Sequence, residues 1–157
     1  MYEGLTGGSD YNQHGGGANY LCLPNDPEYL TNGLPGTSST LHGAEYESPI
    51  SSSSLNNHNV PCAVCYNSKR TSKIMIPAKT TCPSSWTQEY IGYLMTTLHT
   101  QKKSTVYECV DKDAEAVPGS VANTNGALFY NVVAKCSGIL CPPYVATNTV
   151  TCTVCTK

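Results

Sequence analysis

Charge is scarce in this sequence, and so are the large aromatics that fill most cores. Only 13% of the 157 residues are Asp, Glu, Lys or Arg, and there is one Phe and one Trp. The net charge of −2 excludes a basic grip on nucleic acid or on an anionic membrane surface. No apolar run approaches the roughly 20 residues that span a bilayer. No Asn-x-Ser/Thr sequon occurs, so N-glycosylation is not expected. Met1-Tyr-Glu-Gly4 carries neither the basic start nor the apolar stretch of a signal peptide. An exported form is therefore expected to be processed or partial. Hydrophobic residues reach 39% even with the cysteines included, which makes a thin core for a chain of this length.

What the chain does have is sulfur, hydroxyl and phenol: nine Cys, 11 Tyr, 15 Ser and 18 Thr. Nine cysteines in so short a chain read as a disulfide framework built in an oxidising compartment. Each bridge that closes a loop of tens of residues contributes about 3–4 kcal/mol.

Much of the sequence is written twice. Tyr2-Glu-Gly4-Leu is echoed by Tyr90-Ile-Gly92-Tyr. Tyr20-Leu-Cys22 through Glu28 is echoed by Tyr107-Glu-Cys109 through Glu115. Gly43-Ala-Glu-Tyr46 matches Gly126-Ala-Leu-Phe129-Tyr130, and Val60-Pro-Cys62-Ala-Val-Cys65 matches Val150-Thr-Cys152-Thr-Val-Cys155. The offsets of 88, 87, 83 and 90 residues point to a tandem duplication. Residues 1–73 form the first half and 74–157 the second, together one compact domain. Met75-Ile-Pro77-Ala-Lys-Thr-Thr-Cys82-Pro83 has no counterpart in the first half, which is therefore expected to lack its opening strand and one cysteine.

Short runs rich in Val, Thr, Tyr and Ile predict strands over Thr71–Ile76, Tyr90–Thr97, Ser104–Cys109, Ala127–Lys135 and Thr147–Thr156. Asn32-Gly33, Pro35-Gly36, Pro118-Gly119 and Asn125-Gly126 supply turns. Thr87–Leu98 is the best helical window, and Tyr-Ile-Gly-Tyr at its centre spoils it. The fold class is all-β: two pseudo-symmetric halves stapled by disulfides. The glycine-rich Gly7–Gly17 and the polar Ser48–Asn59 bury little and are expected at the surface.

The two CxxC pairs are the sharpest candidates for chemistry. With 86 residues between them they lack the compact spacing of zinc ribbons, and they lie in β-prone rather than helix-start contexts. On a strand, residues i and i+3 face opposite sides and cannot bridge each other, so structural disulfides outweigh zinc or redox chemistry. All nine cysteines enter the framework: Cys22, Cys62, Cys65, Cys82, Cys109, Cys136, Cys141, Cys152 and Cys155. The repeat suggests that Cys136 pairs with Cys141, and that Cys82 and Cys109 take Cys152 and Cys155 in an order left open. Cys22 takes Cys62 or Cys65, and the other remains unpaired.

Asp111-Lys-Asp113-Ala-Glu115 has the start of a calcium loop, but no Gly or distal Glu follows at the required spacing. It reads as an exposed acidic turn. His14, His42, His58 and His99 lie in four different polar segments, and no nucleophile motif accompanies them. No catalytic residue, metal or cofactor is expected. Lys69, Arg70, Lys73, Lys102 and Lys103 are ordinarily solvated. Among dense hydroxyls they would also suit a polyanionic or mineral surface.

The string Gly-Gly-Ala-Asn-Tyr20-Leu-Cys22-Leu-Pro, with His58-Asn-Val-Pro-Cys62-Ala-Val-Cys65-Tyr, Ile76-Pro-Ala-Lys-Thr-Thr-Cys82-Pro, Tyr107-Glu-Cys109-Val-Asp-Lys-Asp and Cys141-Pro-Pro-Tyr, resembles a module. It is similar to the C-terminal non-collagenous domain of sponge short-chain (spongin-type) collagens and related marine-invertebrate extracellular proteins. In that family a Trp-Gly-x-Thr-Thr-Cys-Pro segment usually precedes the first Tyr-x-Gly, often after Gly-X-Y repeats. Ahead of Tyr2 this sequence carries neither. The resemblance implies a secreted structural protein of matrix or skeleton. Its hydroxyl content extends this to a component of a biosilica filament, assembling with itself or with a partner such as silicatein. The rival expectation is an extracellular recognition module, lectin-like or calcium-dependent, using Gly15–Asn19 and the acidic turns.

Overall fold

The computed structural model describes residues 1–30, 36–50 and 54–157. The expected turn at Asn32-Gly33, the Pro35 of the Pro35-Gly36 turn and most of the Ser51–Ser54 run lie outside the described residues. The described residues form strands and turns with no helix. The fold is all-β.

Nine strands occur in the order β1 (Tyr2–Gly8), β2 (Leu21–Pro24), β3 (His42–Tyr46), β4 (Pro61–Val64), β5 (Lys73–Pro77), β6 (Thr87–Thr96), β7 (Glu108–Asp111), β8 (Ala127–Asn131) and β9 (Thr151–Thr156). They join one curled sheet ordered β2-β1-β3-β8-β6-β9-β5, with β4 on β1 and β7 on β6. The window weighed as helical, Thr87–Leu98, is the longest strand. Its β-branched and tyrosyl residues suit a half-buried pleat, and its Gly92 is needed for a strand crossing.

β1 and β6 organise the two halves alike. Gly4 pairs with Pro24 on one edge and Cys62 on the other, and Gly92 pairs with Asp111 and Cys152. A Cβ at Gly4 would lie 1.8 Å from the Leu23 carbonyl oxygen, and one at Gly92 would lie 1.8 Å from that of Val110. Only glycine permits so close an approach of backbone. The halves differ elsewhere. β1 meets β3 through Gly7 and Gly8, whereas β6 meets β8 through Met95 and Thr96.

The seam between the halves is the parallel pair β3–β8, with Ala44, Glu45 and Tyr46 opposite Ala127, Leu128 and Phe129. Ala44, Tyr46, Ile50 and Val60 share one buried cluster with Met95, Ala127 and Phe129, so both sequence halves contribute to one core. Tyr20 stacks on Phe129 with ring centroids 4.0 Å apart. Its hydroxyl donates to the Leu128 carbonyl at 2.9 Å. The fully buried Glu45 accepts from the backbone N–H of Thr124 at 3.0 Å and of Asn125 at 3.2 Å, which meets the hydrogen-bonding demand of a buried carboxylate. A second cluster joins Leu94, Cys109, Cys152 and Val154.

Two stretches expected at the surface are partly interior. Gly7 and Gly8 end β1 and are buried. The end of the Ser48–Asn59 segment lies against β3, with Tyr46 N–H on the His58 carbonyl at 3.0 Å and Asn57 N–H on the Tyr46 carbonyl at 2.8 Å. Ile50 is fully buried there, and Leu55 packs against the same cluster. The Ser104–Cys109 run begins as a strand only at Glu108, because Thr105 is recruited by Tyr20, Thr96 and Thr97. Ala127–Lys135 ends at Asn131 and Thr147–Thr156 begins at Thr151, with a single bridge between Val133 and Thr149 beyond them.

Candidate functional site

Four disulfides form: Cys22–Cys62, Cys82–Cys155 and Cys109–Cys152 tie the sheet, and Cys136–Cys141 closes a local turn after β8. In each half a bridge spans the central strand. Cys22 on β2 faces Cys62 on β4 across β1, and Cys109 on β7 faces Cys152 on β9 across β6. The Cα separation is 5.7 Å in both. Beside each bridge a tyrosine closes the same hydrogen bond. Tyr2 donates to the Cys22 carbonyl and Tyr90 to the Cys109 carbonyl, both at 2.9 Å. Cys65, counted with the framework in the sequence, is free and exposed. It follows β4 at the position where Cys155 ends the matching run on β9, and Cys155 is fully buried in its bridge.

Cys62, Cys152 and Cys155 bond outside their own CxxC pairs and Cys65 is free, and neither pair bridges internally, as opposite faces of a strand require. Among the described residues no group of three or more His, Cys, Asp and Glu is placed to hold a metal. The acidic turn after β7 is closed on itself. Asp111 Oδ1 accepts from Asp113 N–H at 3.0 Å, and Lys112 Nζ pairs with the Asp113 carboxylate. That carboxylate is thus already engaged by a cation of its own turn.

The five basic residues separate into two places. Lys69 and Lys73 are exposed. Arg70 is tied down, its guanidinium donating to Thr156 Oγ1 at 2.7 Å and to Glu89 at 2.9 Å. Hydrogen bonds from Thr156 and Arg70 hold the Glu89 carboxyl below its usual range. Lys102 is exposed, but Lys103, expected on the same surface, is buried. Its ammonium donates to the carbonyls of Gly15 at 3.1 Å and Gly16 at 3.0 Å. Those carbonyls have no partner in the Gly-rich turn itself and draw in the nearest long cation. Lys103 is therefore an internal strut, and Gly15–Asn19, proposed by sequence as a binding loop, is strapped by it. The Gly17 carbonyl accepts from Ser9 Oγ at 3.0 Å and the Ala18 carbonyl from Val106 N–H at 3.0 Å. Sequence carried no signal for this strut beyond the adjacency of two lysines.

Burial pushes the phenols of Tyr20, Tyr46 and Tyr90 up to about 12. They act as neutral hydrogen-bond donors inside the fold, and none stands beside a nucleophile. The outside carries other apolar and phenolic groups: Tyr29, Tyr66 and Tyr107 are mostly exposed, with Leu140 and Val121. An open groove of about 520 Å³ runs from Met1 and the first residues of β1, Tyr2 and Glu3, to Ala63–Tyr66 at the end of β4.

What this arrangement offers chemically is cross-linked rigidity, exposed phenols and hydroxyls, one free thiol and, among the described residues, strand edges such as that of β4 with no partner strand. No protein-family profile, no curated protein and no solved structure matches the chain.

Proposed function

We propose that this chain is a non-enzymatic, secreted building block of an extracellular matrix or skeleton. The carrying observation is that three long-range disulfides and one local one staple a single sheet whose exposed side chains are largely phenol, hydroxyl and apolar. Such a unit resists deformation, and it binds other proteins through surface rather than through a cleft. Four bridges also fit assembly in an oxidising compartment. The resemblance to the non-collagenous domain of sponge short-chain collagens supports the same role. It extends the reading to a biosilica filament in which this protein associates with copies of itself or with a partner such as silicatein. The exposed Lys69, Lys73 and Lys102 would face the anionic mineral.

The test is assembly of the oxidised protein, followed by sedimentation and by silica deposition from silicic acid, with and without chelator. Chelator-insensitive polymers that nucleate silica are the expected result. A monomer at every concentration, or glycan binding abolished by chelator, would refute the scaffold reading. Lys112 pairs with Asp113 in the acidic turn and Lys103 holds the Gly15 and Gly16 carbonyls, and nothing observed favours the lectin-like or calcium-dependent alternative.

A further inference from the structure

The net charge of −2 conceals an imbalance along the chain. Residues 1–68 hold six Asp and Glu and no Lys or Arg, whereas residues 69–157 hold all nine Lys and Arg and five Asp and Glu. All four strands β1–β4 precede the first basic residue, Lys69. The sheet turns this division in sequence into one in space. Its strand order runs from β2 and β1 through β3 and β8 to β6, β9 and β5, so the acidic stretch makes one end and the basic stretch the other. Among the described residues β2 pairs only with β1 and β5 only with β9, which leaves an open strand edge at each end.

The β5 end is basic. Lys69, Lys73 and Lys79 lie on or beside β5 and are exposed. The exposed Lys157 is held next to them, its backbone N–H donating to the Ser72 carbonyl at 3.0 Å. Two acids offset part of this charge. Glu89 holds Arg70 at 2.9 Å, and Glu108, whose carboxyl burial raises, is drawn back down by Lys73. Lys69, Lys79 and Lys157 form no ion pair among the described residues. The β2 end is acidic and partly apolar. Asp26 and Glu28 follow β2 directly and Glu3 lies on the adjoining β1, all exposed and, among the described residues, without an ion pair. Leu21 on β2 is 45% exposed, and Tyr29 and Leu30 just beyond Glu28 are almost wholly so. An exposed apolar patch rimmed by charge has the anatomy of a protein interface.

We propose that the basic β5 end of one copy docks on the acidic β2 end of the next, so that copies of this chain add head to tail. Opposite charge selects this pairing and penalises contact between like ends. The open edges of β5 and β2 supply main-chain hydrogen bonds to the joint. Leu21, Tyr29 and Leu30 supply its apolar area. A joint between unlike ends is heterologous, so each docking leaves one free end of either sign and growth continues. This rests on the scaffold reading and specifies which faces of two copies meet. Lys102, in the segment between β6 and β7, stays outside the joint and remains free to face mineral.

The test uses the oxidised full chain with Cys65→Ser, so that no thiol link contributes, and two exposed charge reversals. Lys69→Glu with Lys79→Glu turns the β5 end acidic, and Asp26→Lys with Glu28→Lys turns the β2 end basic. In sedimentation velocity the parent should grow past a dimer as its concentration rises. Its dissociation constant should weaken at least about tenfold between about 0.1 M and about 1 M salt, as the screening length falls from about 10 Å to about 3 Å. Each reversed variant alone should associate at least about tenfold more weakly than the parent. An equimolar mixture of the two should recover association, because each supplies the sign that the other lacks, and recovery shows that both are folded. If a reversal misfolds, the neutral pairs K69Q/K79Q and D26N/E28Q carry the test, and each should weaken association. Growth that stops at a dimer, association indifferent to salt, or folded variants that do not recover on mixing would overturn the proposal. Polymers that form equally well from the altered variants would overturn this joint and leave the scaffold role standing. A monomer at every concentration would refute both. Salt-sensitive chains of a protein whose glycan binding is abolished by chelator would refute the scaffold role alone.

Discussion

Removing the disulfides one pair at a time should rank them by the loop each closes. Cys82–Cys155 spans 73 residues, Cys109–Cys152 spans 43, Cys22–Cys62 spans 40 and Cys136–Cys141 spans 5. Cys109–Cys152 is nested inside Cys82–Cys155, so while one is intact the other closes only about 30 residues. The chain-entropy relation assigns about 3.7 kcal/mol to each of these two, about 3.9 to Cys22–Cys62 and about 2.1 to Cys136–Cys141 at 25 °C. Packing reinforces the order. Cys155 and Cys152 are fully buried, so Ala at either leaves a small void, while Cys136 and Cys141 are exposed and leave none. Paired Cys→Ala changes on a Cys65→Ala background prevent reshuffling. With a urea m-value of about 2 kcal/mol/M, C82A/C155A should unfold roughly 1 M earlier than C136A/C141A. Equilibrium urea unfolding followed by circular dichroism reads this directly. A midpoint for C136A/C141A at or below that of C82A/C155A would refute the entropic reasoning.

Three further outcomes are expected. Gly92→Ala should cost more than about 4 kcal/mol, because its Cβ would meet the backbone carbonyl of Val110, which no rotamer change can move aside. Gly4→Ala should behave alike against Leu23, and a thermal melt within a few degrees of the parent would contradict both. Tyr20, Tyr46 and Tyr90 are raised from 10.0 to about 12 by burial, so the fold holds their protons more tightly than the unfolded chain does. That stabilisation is complete below about pH 10 and is lost as pH rises through 12. Phenolate absorbance should therefore show a late class of tyrosines that ionises together with loss of β-sheet signal. Lys103→Met strips the donor from the Gly15 and Gly16 carbonyls and should destabilise by about 1–3 kcal/mol. Lys102→Met should stay within about 0.5 kcal/mol, and equal effects in denaturant titrations would show that Lys103 is no strut.

The all-β class and the strands of the second half could be read from the chain, because alternating Val, Thr, Tyr and Ile with few helix formers leaves a pleat as the local solution. The first-half strands carry no such pattern. Leu21–Pro24 and Pro61–Val64 are four residues each and contain proline, so their place follows from the edges β1 offers and from the repeat. The repeat, with the closeness of the two in sequence, likewise told that Cys136 meets Cys141, and that one of Cys62 and Cys65 is left over. Which one was a tertiary matter. Residues three apart on a strand face opposite sides, and only the registers of β2 and β4 on β1 put Cys62 on the side of Cys22. The parallel β3–β8 seam and the burial of Lys103 were likewise settled by neighbours far away in sequence. Local composition sets what a segment can become, whereas the partner across a strand edge, and with it each side chain's exposure, exists only once the sheet has formed.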